Sequence, residues 1–116
     1  MFDRKIGQNQ AIQHPLATAG CNSKPLPSLM TLKAAALYDA GEPCGIEAND
    51  AKYPAAEAAH EACETAVLTL GGMGYAAEYH VERYLRESYI PRIAPITPHM
   101  ILNFIAEKAL GLPRSY

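Results

Sequence analysis

Gly71, Gly72 and Gly74 stand between an alanine-rich stretch and a charged one, in Leu68-Thr-Leu-Gly-Gly-Met-Gly-Tyr75. Glycines at the end of a helix let the backbone turn sharply and come close to whatever lies against it. A flat cofactor or a partner chain is what usually needs that closeness. The turn is no dinucleotide fingerprint, because Gly-x-Gly-x-x-Gly after a strand is missing. Taken alone, these glycines are a helix stop. Downstream come Glu78-Tyr-His-Val-Glu-Arg83, Arg86 and Glu87. Glu82 and Arg86 make an i,i+4 pair worth a few tenths of a kcal/mol, a solvated face rather than an acid–base couple. Neither the four histidines (His14, His60, His80, His99) nor Cys21, Cys44 and Cys63 show metal-ligand spacing, so no metal site is expected.

The elements that must position the glycine turn are all helical. The 116 residues fit one domain, half of them apolar and a fifth charged. A net charge of −2 gives no electrostatic reason to expect nucleic acid, and no basic cluster favours a membrane surface. No apolar run reaches bilayer length, and the start lacks a signal-peptide core. Widely spaced cysteines in odd number point to reduced thiols in the cytoplasm.

Hydrophobic periodicity predicts a helix over about Gly7 to Ala19, kinked at Pro15, and a second over Ser28 to Ala40 ending at Gly41. Asp50 is the expected N-cap of a long helix, Lys52 to Leu70, with Pro54 in its first turn. Its expected stripe is Ala55, Ala59, Ala62, Ala66 and Leu70, small enough for another helix to pack close. A fourth helix over Glu78 to Ser88 should bury Val81, Tyr84 and Leu85. The last starts at an N-cap, Thr97, with Pro98 in the first position, and buries Ile101, Leu102, Ile105, Ala109 and Leu110 before Gly111. Amphipathic helices joined by short loops make an all-α, up-and-down bundle.

Turn and charged segment together resemble the acyl-CoA dehydrogenases, whose C-terminal helical domain carries Gly-Gly-x-Gly-[Tyr/Phe] followed by Glu-Tyr-x-Val-Glu-[Arg/Lys]-x-x-Arg-[Asp/Glu]. The chain start, Phe2-Asp-Arg-Lys-Ile-Gly-Gln-Asn-Gln-Ala-Ile-Gln-His-Pro-Leu-Ala17, is similar to the family's Arg-x-x-Phe and Gln-Ala-[Ile/Val]-Gln segment. The resemblance covers residues 1–116, about a third of a family member. It implies a fragment lacking the N-terminal helical domain, the central β-domain and the first bundle helix. One stretch departs from the pattern. Gly20-Cys-Asn-Ser-Lys-Pro-Leu-Pro-Ser28 stands where the family has mid-helix Leu-x-Leu-Glu-Ala-Ala, and its glycine and prolines each oppose a helix by roughly 1 to 3 kcal/mol. Either a loop breaks the helix there, or the gene carries a local frameshift, since a shifted frame permits [Met/Leu]-Gln-Leu-Glu-Ala-Ala.

By the resemblance, Phe2, Gln10, Gly71, Gly72, Gly74, Thr97 and His99 fall where the family touches FAD, the glycines against the ADP part of a cofactor bound mainly by a neighbouring subunit. Leu68 replaces a glutamine that commonly bonds the cofactor, which implies weaker affinity. The family's reaction removes an α-proton from an acyl thioester while hydride leaves the β-carbon for flavin, and needs a carboxylate base. Many members carry it in Tyr-Glu-Gly-Thr. Here the stretch is Ile93-Ala-Pro-Ile-Thr97, with Pro95 in the glutamate's place, and no catalytic residue is assigned.

The expectation is the C-terminal part of an FAD-dependent acyl-CoA dehydrogenase, contributing cofactor contacts and an oligomer interface, inactive alone. Its partners are further copies or the remainder of the enzyme, with acyl-CoA as substrate. A non-catalytic self-association module and a truncated gene remnant are the alternatives.

Overall fold

The computed structural model describes residues 3–23 and 25–115. Helix α3, Gly45–Leu70, spans 26 residues and touches every other α-helix. At 1.5 Å per residue it is about 39 Å long. Alanine has the lowest helix cost and the smallest reach, so neighbours approach α3 from several sides. Helices α1 (Gln10–Ser23) and α2 (Pro25–Asp39) run antiparallel to it. Asn22 Nδ2 donates to Glu61 Oε2 at 3.3 Å, and Lys33 pairs with Glu47 at 3.0 Å, so rising numbers on one side meet falling numbers on the other. Gly41, at φ +74, makes the return turn between α2 and α3.

Residues 20–23 and 25–28 are helical, which corrects the first of the two readings of Gly20 to Ser28, the loop. Pro25 and Pro27 fall in the first turn of α2, where an N–H has no intrahelical acceptor and its absence costs little. Ala19 and Pro27 are buried on either side of the junction, while α1 and α2 both pack on α3. Packing therefore outweighs the roughly 1 kcal/mol that Gly20 costs in a helix. Pro15 also lies inside α1, which continues past it.

Helix α3 begins seven residues earlier than expected, after Cys44, and Asp50 is interior rather than its cap. Ala48 N–H donates to Cys44 O at 2.9 Å, and Asn49 Nδ2 to Gly45 O at 2.8 Å. The first turn is anchored by α7: a Cβ on Gly45 would lie 3.2 Å from the Phe104 ring. Pro54 consequently sits well inside α3. The expected alanine stripe is also corrected. Ala51, Ala56 and Ala58 are buried, whereas Ala59 and Leu70 are exposed, because α3 is covered from two sides rather than along one seam.

Beyond α3 come the single turn α4 (Gly72–Tyr75), a 3-10 turn Ala77–Tyr79 and α5 (Val81–Glu87). His80, left-handed at φ 60, divides what the sequence predicts as one helix from Glu78 to Ser88. Tyr84 is exposed rather than buried; Val81 and Leu85 are half-buried. The ion-pair face is as expected, with Arg86 Nη1 at 2.9 Å from Glu82 Oε2. After the short α6 (Ile90–Ile93), α7 (Pro98–Lys108) starts at Thr97 as the sequence predicts. Ile101, 1% exposed, is its buried anchor, but Leu102, Ala109 and Leu110 are exposed. Their neighbours on one side of α7 are solvent, since α7 packs chiefly on α3.

No strand occurs among the described residues; the architecture is all-α. Among them no helix is long and apolar enough to cross a membrane. The molecule is thin, 57 × 26 × 25 Å, with a radius of gyration of 17.8 Å against about 13 Å for a rounded domain of this length. It exposes 8350 Å² where a monomer of 12.6 kDa usually exposes about 6,200 Å². Much of the excess is apolar: Leu26, Leu29 and Leu32 line one face of α2 and all are exposed.

Candidate functional site

The chain leaves α3 through Gly71, whose φ of 58 and ψ of −132 belong to glycine alone. Its N–H donates to Leu68 O at 3.3 Å, and Gly74 N–H donates to Gly71 O at 2.9 Å, closing a tight corner. The three glycines do not serve one purpose. A Cβ on Gly74 would lie 2.6 Å from Val67 O and 2.8 Å from Val67 Cα, so this buried glycine packs back on the last turns of α3. Gly71 and Gly72 are exposed, and nothing stands within 4 Å of where their Cβ atoms would be. Leu68, one turn back, is 74% exposed beside them.

Gln10 opens α1 at the same end of the molecule and is exposed. Just after it, Ala11, Ile12 and Pro15 border a cleft whose other wall is Thr65, Leu68 and Thr69, the last turns of α3. The start of α1, with Gln10, thus lies beside the last turns of α3, at the end from which the glycines lead. Phe2 lies outside the described residues.

Thr97 and His99 are elsewhere. Both are exposed at the start of α7. The segment before them is tied to the first half of α3, where Lys52 Nζ donates to Pro91 O and, at 3.0 Å, to Ile96 O. From Lys52 to Gly71 runs roughly 28 Å of helix. The six described residues of the seven singled out from the sequence therefore fall at two different levels of α3, not in one pocket. Thr97 is N-terminal to Pro98 as expected, yet its hydroxyl makes no capping bond.

Carboxylates in this region are committed. Glu57 Oε1 accepts from Arg92 Nε at 2.9 Å, on the turn of α3 after Lys52. Two glutamates titrate low: Glu47, held down by its own backbone N–H and then by Lys33, and Glu107, held down by Lys108. Both lie opposite to the raised value that a proton-abstracting base requires. Sequence reasoning missed Lys52, Glu57 and Arg92, whose partners stand some forty positions away. Nothing in the local spacing marks them.

The family model described as acyl-CoA dehydrogenase, C-terminal domain, matches residues 1–110. The chain belongs to that family. It is 48% identical, over its full length, to acyl-CoA dehydrogenase FadE12 of Mycobacterium tuberculosis, of which it covers 30%. Against the short/branched chain specific acyl-CoA dehydrogenase of bovine mitochondria the identity is 36%, over 91% of this chain and 24% of that protein. The 3-(aryl)acrylate reductase of Clostridium sporogenes is 38% identical over 94% of this chain and 29% of its own length. The chain spans about 30% of the first of these relatives and less of the other two. An acyl-CoA dehydrogenase C-terminal domain accounts for the all-helical fold.

Proposed function

We propose that this chain supplies the C-terminal helical part of a flavin-dependent acyl-CoA dehydrogenase, sealing a cofactor held mainly by other parts of the enzyme and building the oligomer contact. The observation that carries the reading is the exposed corner at Gly71 and Gly72, where nothing stands within 4 Å of where a Cβ would be. The fit is favourable in shape: backbone approaches closely, and no Cβ obstructs a planar ligand or a diphosphate. Bound FAD would accept the hydride leaving the β-carbon of the acyl thioester. Gly71 and Gly72 offer it backbone surface, Gln10 an amide, and Thr97 a hydroxyl that helix capping leaves uncommitted. Leu68 offers no hydrogen bond, so the corner binds less tightly than one with glutamine. No residue here is assigned to proton abstraction, and the base belongs to the rest of the enzyme.

The surplus surface supports the same reading. About 2,000 Å² beyond the usual monomer value exceeds the roughly 800 Å² that each partner buries in a standard interface. A non-catalytic self-association module is the second reading, favoured by the apolar α2 face and the missing carboxylate between Ile93 and Thr97.

Grafting residues 1–116 in place of the matching part of FadE12 separates the two. The graft is expected to be yellow, with flavin in the parent's ratio, while the 116-residue chain alone is colourless and reduces no dye with acyl-CoA. A colourless graft that still oligomerises overturns the enzyme reading in favour of the module.

A further inference from the structure

The segment from Ile90 to Thr97 has little of its own to hold it. Helix α6 is one turn, Pro91 and Pro95 lack N–H donors, and Ile90, Ile93 and Ile96 are exposed. What fixes it comes from α3. Lys52 Nζ donates to Pro91 O and Ile96 O, two carbonyls at opposite ends of the loop. An ammonium has three donors and a flexible stem, so one side chain closes both ends at once. Five residues on, Glu57 receives Arg92 at 2.9 Å and keeps α6 against the same helix. Because Lys52 binds main-chain oxygens, the clasp holds whatever side chains the loop carries. It stops one residue short of Thr97, whose hydroxyl makes no capping bond.

The geometry points to Lys52 as a positioning residue: by clasping Pro91 O and Ile96 O it sets where Thr97 and His99 stand for a bound flavin and acyl thioester. This rests on the proposed contact of Thr97 with a bound flavin; the clasp itself does not. Lys52 touches neither substrate nor cofactor. It acts through the loop.

Two substitutions in the full 116-residue chain test the clasp. Lys52→Met keeps the stem and removes the donors; Lys52→Arg restores donors. Amide exchange at Ile93, Ala94, Ile96 and Thr97 is expected to quicken about tenfold in Lys52→Met, with α2 and the second half of α3 unchanged, and to return near wild type in Lys52→Arg. Unchanged loop exchange, or an equal rise along all of α3, overturns the clasp. In the FadE12 graft, Lys52→Met is expected to lower kcat about tenfold while KM and flavin content hold, since a displaced group costs rate before it costs binding. Equal loss of flavin and helicity would reduce Lys52 to a structural lysine. If the unsubstituted graft is colourless, the enzyme reading fails, and amide exchange alone decides the clasp.

Discussion

The imidazole of His60 and the hydroxyl of Ser88 meet at 2.9 Å across the α3–α5 contact. Ser88 is only 7% exposed, and its Oγ donates to Leu85 O at 2.6 Å. With that proton committed, the oxygen must accept from His60, which assigns the imidazole proton to Nδ1. The Tyr89 ring packs edge-on against the imidazole at 4.4 Å. The pair resembles a nucleophile and base in composition only, since the hydroxyl points its proton away from histidine. Its work is structural. Ser88→Ala leaves the imidazole donor without its acceptor and is expected to destabilise by about 1 to 3 kcal/mol. Denaturant unfolding measures it, and a change within error would show that solvent reaches the site.

Gly74 and Gly72 should behave oppositely. Gly74→Ala forces a methyl into the Val67 backbone and is expected to destabilise by about 1 to 3 kcal/mol or more, because backbone yields less than side chain. Gly72→Ala meets nothing within 4 Å and should leave the melting temperature nearly unchanged. In the FadE12 graft, Gly72→Ala should nonetheless weaken flavin retention. Equal thermal effects at the two positions would contradict the inward and outward assignment.

Leu68→Gln returns a hydrogen-bonding side chain to the exposed rim of the glycine corner. Flavin retention by the graft is expected to improve several-fold, in line with roughly 1 kcal/mol from one added hydrogen bond. Absorbance after dialysis reads it directly. No gain would place the cofactor away from Leu68.

Acid should reveal the Lys33–Glu47 contact. The backbone N–H of Glu47 and then the Lys33 ammonium hold its carboxyl below the ordinary value. A depressed folded-state pKa stabilises above the unfolded-state value, and that contribution disappears as pH falls through the folded one. Glu47→Gln is therefore expected to melt lower at neutral pH and to lose less on acidification. Parallel melting curves across the carboxylate range would remove Lys33–Glu47 from the account.

Leu29 and Leu32 are 63% and 69% exposed on α2. Changing both to glutamate should leave helix content intact and reduce concentration-dependent association, because an exposed apolar face of this kind marks a contact surface. Light scattering against circular dichroism separates the two effects. Unaltered association would move the contact to another face.

Much of the fold is legible before any coordinates, for reasons that particular residues show. Thr97 and Pro98 set the start of α7, and Gly111, at φ +69, turns the chain beyond its end. Local chemistry decides those points, and local chemistry is what a sequence displays. The junction at residues 20–28 defeats the same reasoning, because burial of Ala19 and Pro27 against a distant helix outweighs glycine and proline propensity. The start of α3 is hidden likewise, its first turn depending on Phe104, about sixty positions away. For the site, the glycine corner is readable and its division of labour is not. Only the fold shows that Gly74 answers to Val67 while Gly72 faces out. Lys52 looks like any surface lysine until the loop closes on it.

Helix α3 also acts as a strut. Helices α1 and α2 lean on one of its sides and α5 to α7 on others, with only marginal contact between the two groups among the described residues. The flanks have no substantial shared surface through which to signal directly. A disturbance at the α2 face can reach the Pro91–Ile96 loop only by shifting or loosening α3, and Lys52 is the point where such a shift would be felt.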